Sequence, residues 1–421
     1  MEQLYPVRNI LCIDLKSFFA AAECADRGLD MFTTPLVVAD PARGNGGITL
    51  AVTPFLKALG IKSRGRIYEI PRNIKYLRVK PRMSLYIKKS KEVIDVYLDF
   101  VAKDDLYVYS IDEVFLDVTD YLKLYKMDDY HLAEKILKTI YKKTGLTANC
   151  GIGPNMLLAK LAMDIDGKSA KNAIAKWEYK DIPSKLWTIS PLSEMWGIGH
   201  GMEKRLNNLG LYTIGDIAKY SKNELIKKFG IMGGELWNHA NGIDLTNIKD
   251  CSIHVSEKSI SHSQILFKDY YNDNIKIIIK EMVEVLTKRL RTLGSISGLL
   301  FFGIGYSKVI GGGFSKSMKL SHHTDDSTEL TNLCFGIFDN YYEENKPIRS
   351  VHLSLGKLEI KTSMQLSLFE DSESIKARDS INYTIDEIHL KYGKNSILNA
   401  STLTSDSTMI KRNNKIGGHE S

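Results

Sequence analysis

Short apolar runs, each bounded by charged or turn-forming residues, dominate the first half of the chain, and their lengths separate strands from helices. Val7 to Ile13 is short and rich in branched side chains, which predicts a buried strand ending at Asp14. Phe18 to Cys24 reads as helix, and Leu36 to Ala39 and Ile48 to Val52 read as short strands. Between those strands lies the glycine- and proline-punctuated loop Asp40 to Gly47. In Met83 to Val101 the residues Leu85, Ile87, Val93, Ile94, Tyr97 and Leu98 give a helix its apolar side. Leu106 to Tyr109 and Val114 to Val118 predict two strands joined by a tight turn at Ser110 to Glu113. A helix over Asp129 to Thr144 then leads into a strand over Leu146 to Ile152. Strands and helices alternating in this way imply an α/β sheet domain with helices packed on it.

The pattern changes after about Lys185. Short helical pieces broken by glycine-containing turns run to about Asp250, and His254 to Glu359 mixes strands such as Leu299 to Gly305 and Val351 to Leu355 with a long helix, Asn274 to Leu293. From about Lys361 the chain is polar and is expected to be only partly ordered, apart from one amphipathic segment with Ile381, Ile385 and Ile388 at helical spacing. A length of 421 residues fits about three or four compact units.

Composition narrows the class without choosing a partner. Hydrophobic residues at 43% and charged residues at 25% are those of a soluble globular protein. The net charge is +7, and +6 of it lies before residue 254, where 36 basic residues meet 30 acidic ones. Such an excess permits a polyanionic partner but does not require one. Cys12, Cys24, Cys150, Cys251 and Cys334 are far apart and lack metal-ligand spacing, which fits a reduced, cytoplasmic protein without structural zinc. No apolar window reaches the length of a signal or membrane-spanning segment, so no membrane role is expected.

Three acidic residues carry the chemical signal. Asp14 closes an apolar strand, and Asp112 with Glu113 occupies the turn in Tyr109-Ser-Ile-Asp-Glu-Val-Phe-Leu-Asp117. If those strands adjoin in one sheet, the carboxylates meet at one edge, where without compensation they would repel and one would take up a proton. Two divalent cations would remove that penalty, and Mg2+ suits a site of few carboxylates with positions left for phosphate oxygens and water. Paired metals of this kind serve in-line phosphoryl or nucleotidyl transfer.

The runs Cys12-Ile-Asp-Leu-Lys-Ser-Phe-Phe-Ala20 and Tyr109 to Asp117 resemble, in order and spacing, the two metal-binding motifs of the Y-family lesion-bypass DNA polymerases. The likeness is nearest the UmuC-like and UvrX-like branch of Gram-positive bacteria. It implies a multidomain α/β fold shaped as a right hand: an α/β palm from 1–30 and 77–184, small fingers from 31–76, a helical thumb from 185–252, an α+β little finger from 253–360 and a tail from 361–421. It further implies that Asp14, the Leu15 carbonyl, Asp112 and Glu113 hold two Mg2+ ions. Phe19 falls at the family's steric gate, which disfavours a 2′-hydroxyl, and Phe18 beside it in the nucleotide pocket is expected to serve the core. Lys57 aligns with a basic residue that contacts the triphosphate of a dNTP, and Lys168 is the candidate for a second such cation, expected after Gly151 to Leu161. Around Lys57 the sequence departs from the family's Tyr-Glu-Ala-Arg run, with Pro54, Phe55 and Leu56 in its place, so a tyrosine contact there is not expected.

Trp196-Gly-Ile-Gly-His-Gly-Met202 reads as a helix-hairpin-helix turn whose Gly197 and Gly199 let backbone amides approach a phosphate of primer-template DNA. In the little finger Lys308, Lys316 and Lys319 are candidate phosphate contacts. Gln365-Leu366-Ser367-Leu368-Phe369 resembles the bacterial peptide that binds the polymerase sliding clamp, and the branch also implies SOS-type accessory proteins. Two other readings stay open at this level: a catalytically silent, clamp-tethered DNA-binding factor, and a palm-domain nucleotidyl cyclase, which the absence of a Gly-Gly-Asp-Glu-Phe loop disfavours.

Overall fold

The computed structural model describes residues 7–251, 259–362, 372–417 and 419–420. They divide into two compact units, one within 7–251 and one within 259–417.

The first unit is built on a five-stranded sheet. Its strands are β1 (Ile10–Leu15), β5 (Leu106–Val108), β6 (Glu113–Asp117), β7 (Ala148–Gly153) and β8 (Ile174–Lys176), in the order β5-β6-β1-β7-β8. The remaining short strands, β2 (Leu36–Val38), β3 (Ala51–Val52) and β4 (Leu77–Val79), form a separate three-stranded sheet. β1 is central and antiparallel to both β6 and β7. Side chains alternate across a strand, so Leu11, Ile13 and Leu15 enter the main core with residues of the helices Met83–Leu98 and Asp129–Thr144. Ile10 and Cys12, with Phe115 of β6, meet Met156, Ala159 and Met163 on the opposite face.

That second face is reached by a helical segment that runs from Met156 to Gly167 directly after β7. Gly151 and Gly153 allow the approach. A Cβ at Gly151 would lie 2.0 Å from the Ala159 carbonyl oxygen, and one at Gly153 would lie 2.4 Å from the Ala159 nitrogen. Four further helices, from His200–Asn207 to Ile231–Ala240, share a core with Leu157, Leu161 and Trp177. Asp244 fastens their far end by accepting from the Leu157 amide at 3.1 Å, which satisfies a donor at the start of the Met156 helix.

The second unit carries a four-stranded antiparallel sheet of β9 (Ser259–Tyr270), β10 (Ser295–Tyr306), β11 (Gly313–Thr324) and β12 (Ile348–Ile360), ordered β11-β10-β12-β9. The helices Asn274–Thr292 and Ser327–Tyr341 pack on one face of it. Residues 372–417, expected to be only partly ordered, instead fold onto this unit. They begin with the helix Ser372–Tyr392, which Asp386 ties to Arg291 at 2.6 Å. Asp379 of that helix and Asp325 each lie 3.0 Å from Lys361, Tyr270 donates to the Asp406 carbonyl at 2.7 Å, and buried Glu281 accepts from the Thr408 amide at 3.2 Å. The sequence lacked a long apolar run here because polar groups, paired one by one, make the attachment. Among the described residues no helix is long and apolar enough to cross a membrane.

Candidate active site

Strand pairing brings the predicted carboxylates to one place. Asp14 on β1 is the register partner of Glu113 on β6 on one side and of Asn149 on β7 on the other. The Leu15 amide donates to the Asp112 carbonyl at 2.9 Å, which locks the turn before β6 onto the end of β1. The turn is also held from behind, where the Ser90 hydroxyl donates to the Ile111 carbonyl at 2.6 Å. Burial and the neighbouring Asp112 and Glu113 carboxylates push the Asp14 carboxyl up to about 7, against the opposite pull of Lys168 and Lys160.

The side chains are partly engaged with the protein. Ser110 donates to Asp112 Oδ1 at 2.6 Å, and Glu113 Oε1 accepts from Lys160 Nζ at 2.7 Å and from the Cys12 thiol at 3.2 Å. Accordingly, among the described residues no group of three or more histidine, cysteine, aspartate or glutamate side chains is arranged to hold a metal ion. The donor set nonetheless fits hard cations: it consists of carboxylate oxygens, and buried Asn149 beside it has an amide oxygen without a hydrogen-bond partner.

Lys160 is a site residue that sequence reasoning missed. Besides Glu113 it touches Asp164 Oδ2 at 3.1 Å, and Lys168 holds the other oxygen of Asp164 at 2.7 Å. Burial works against the Lys160 ammonium, but its hydrogen bond to Glu113 and the charges of Cys12, Glu113 and Asp164 outweigh it and raise its pKa. The available signal was a lone lysine in Met156–Leu161, a helix in which every residue is buried; a charge in that setting needs a partner.

Comparisons with known proteins identify the family. A family profile described as impB/mucB/samB matches residues 13–164, and the profile of that family's C-terminal domain matches 257–368. A thumb-domain profile described for DNA polymerase-iota matches 193–244. A Bacillus subtilis protein named for UV-damage repair, UvrX, is 39% identical over 99% of both chains. DNA polymerase IV 2 of the same organism is 31% identical over 97% of this chain and 98% of its own. The chain belongs to the Y family of DNA polymerases. DNA polymerase IV of Pelotomaculum thermopropionicum is likewise 31% identical, over 96% of this chain and 97% of its own. As a Y-family member of the UmuC- and UvrX-like branch, the protein is a DNA-directed DNA polymerase.

Around the carboxylates of this polymerase, Phe18 is 3% exposed and belongs to the core. Phe19 is half-buried beside it. Lys57 sits in the last turn of the short helix Pro54–Ala58, where Pro54 occupies a position that needs no amide donor. The surrounding protein lowers the Lys57 pKa, and Asp14 and Lys168 act on it in opposite directions, so both predicted lysines share the field of the same carboxylate.

Gly197 has φ +92°, and Gly199 precedes the helix His200–Asn207; at neither would a Cβ meet another atom within 4 Å. Trp196 before them donates to the Tyr109 hydroxyl at 3.2 Å. An open cleft of about 500 Å³ runs from Lys160 and Asp164 past Tyr109 and Trp196 to these glycines. In the second unit Lys308, Lys316 and Lys319 are exposed, but Lys316 lies over the Tyr341 ring at 4.1 Å, on the helix-covered side of β11. Three residues on, Lys319 projects to the other face, so a single DNA strand laid on one face would not meet both. Gln365 to Phe369 lie outside the described residues.

Proposed function

We propose that this polymerase extends a primer 3′-hydroxyl with dNTPs by two-metal nucleotidyl transfer, and that it does so across damaged template while tethered to the sliding clamp. The observation that carries the reading is the pairing of Asp14 with Glu113 in one register, with the Asp112 turn hydrogen-bonded to Leu15. Asp14, the Leu15 carbonyl, Asp112 and Glu113 would hold the magnesium ions. Bound there, Mg2+ would make the primer hydroxyl more acidic and stabilise the oxygen that leaves with pyrophosphate. Lys57 and Lys168 take the triphosphate, whose charge needs fixed cations as pyrophosphate departs. Lys160 holds Glu113 in place at the end of the sheet.

On this reading the five-stranded sheet is the palm, residues 31–76 the fingers, the helices of 185–252 the thumb and the second unit the little finger. Gly197 and Gly199 present the thumb's backbone to the DNA backbone. Residues 365–369 reach the clamp from the little finger, because a short apolar peptide can fill a groove and tethering raises the local concentration of a weakly gripping enzyme.

The test is extension of a labelled primer on intact and damaged templates, with and without loaded clamp. Extension should need Mg2+ and all four dNTPs, and the clamp should increase it only when residues 365–369 are present. Dinucleotide formation without primer extension would eliminate the polymerase chemistry, and equal loss with and without clamp on deleting 365–369 would eliminate the tether.

Phe19→Ala should admit ribonucleotides. Forcing a hydroxyl against a fixed ring costs about 1–3 kcal/mol, so relative ribonucleotide insertion should rise roughly 5- to 160-fold. Competition between dNTP and rNTP in single-nucleotide insertion measures it, and an unaltered ratio would remove Phe19 from the gate.

A further inference from the structure

The helix that carries Phe19 also carries a carboxylate that no step above uses. Glu23, one turn beyond Phe19, is completely buried. Its two oxygens accept from Arg82 at 2.6 and 3.2 Å and from the Tyr86 hydroxyl at 2.7 Å, and Arg27 of its own helix pairs with it as well. Arg82 in turn reaches Asp26 at 2.7 Å. Tyr86 is completely buried too, and its ring stacks on that of Phe19 with centroids 4.5 Å apart and planes 18° from parallel. Phe19 and Glu23 are four residues apart on one helix, and Arg82 and Tyr86 are four apart at the start of another, so each pair shares a face. The two faces meet ring on ring and carboxylate on guanidinium.

An ionised carboxylate in a core is expensive, and apolar side chains of similar volume often fill such a place with no loss of stability. What Glu23 adds is direction. A stacked ring held only by dispersion can slide or swing, whereas a para-hydroxyl bonded to a carboxylate that is itself clamped by Arg82 fixes the far end of the Tyr86 ring. A gate excludes a 2′-hydroxyl only as far as its ring refuses to yield. We propose that Glu23, Arg82 and Tyr86 form a brace that holds Phe19 in its excluding position, and that these three positioning residues set the sugar selectivity of the polymerase. The proposal rests on reading Phe19 as the gate.

The test is a double-mutant cycle read as the ratio of kcat/KM for a ribonucleotide to that for the matching deoxynucleotide. Tyr86→Phe keeps the ring and removes the anchor, and Glu23→Gln removes the charge that holds Arg82 while keeping the side chain's size. Each should raise the ratio about 3- to 10-fold, mainly through a lower KM for the ribonucleotide, and neither should raise it further in the Phe19→Ala background. If Phe19→Ala relaxes selectivity while Tyr86→Phe and Glu23→Gln leave the ratio unchanged, or if their effects multiply fully with it, the brace is refuted and the gate stands. If Phe19→Ala changes nothing, the gate reading falls and takes the brace with it. A purely structural role would lower the melting temperature and kcat for both sugars without moving the ratio, which also refutes the brace.

Discussion

Asp112→Ala should reduce primer extension by roughly 1000-fold or more, a barrier increase of about 4 kcal/mol, while primer-template affinity changes only a few-fold. Asp112 is the cleanest of the three carboxylates to remove. Its side chain contacts the Ser110 hydroxyl within its own turn, whereas the links to β1 and to the Met83–Leu98 helix run through backbone carbonyls that alanine preserves. Glu113 is different, because its loss would leave the Lys160 ammonium with Asp164 alone and would confound chemistry with stability. Asp14 lies between the two. Burial, and after it the Asp112 and Glu113 carboxylates, raise its pKa, so deleting Asp112 should relieve part of that repulsion while removing a proposed ligand. Single-turnover extension of a labelled primer, with anisotropy for DNA binding and a thermal melt as controls, separates these effects. Extension within tenfold of the unaltered enzyme, at equal DNA occupancy, would exclude Asp112 from the chemistry.

The parts of the fold that sequence made legible are those in which local pattern and tertiary role coincide. The helix Asp129–Thr144 is found with the expected bounds, since an Asp128 cap and Gly145 mark its ends and its apolar side faces one core. Strand β1 begins three residues later than its apolar run suggested and runs one residue past Asp14, to Leu15, because Ala148 of β7 pairs with Leu15. The edge strands β9 and β11 were illegible. In β11, Ser315, Lys316, Ser317 and Lys319 are exposed, and its neighbours, not its own apolar content, make it a strand. The site shows the same division. Motif wording pointed to Asp14, Asp112 and Glu113, but Lys160 and the Glu23 cluster were invisible, since what distinguishes a buried charge from a solvated one is the partner that tertiary structure supplies.

Gly151→Ala should unfold the first unit at a markedly lower temperature, and the cause lies in how β7 meets the segment that follows it. The added methyl would sit 2.0 Å from the Ala159 oxygen and 2.3 Å from the Met163 nitrogen, and both are backbone atoms that no rotamer change can move. Relief requires the whole Met156–Gly167 segment to lift from the sheet, which opens the cluster of Cys12, Phe115, Ala159 and Met163. Overpacking against backbone costs about 3 kcal/mol or more, which for a unit of this size lowers Tm by roughly 6–12 °C. Activity should fall further than stability, because the same segment carries Lys160 and leads directly into Lys168. At a temperature where the variant is still folded, extension should drop through a loss of Lys160 from Glu113 and a displacement of Lys168, the proposed triphosphate contact, raising KM for dNTP as well as lowering kcat. Gly336→Ala in the second unit, inside the helix Ser327–Tyr341 where a Cβ meets nothing within 4 Å, is the control and should not lower the melt, and should leave the extension rate nearly unaltered. A Gly151→Ala protein with an unshifted melt would mean that the segment does not lie against β7 as closely as 2.0 Å requires, and the placement of Lys160 beside Glu113 would lose its structural basis.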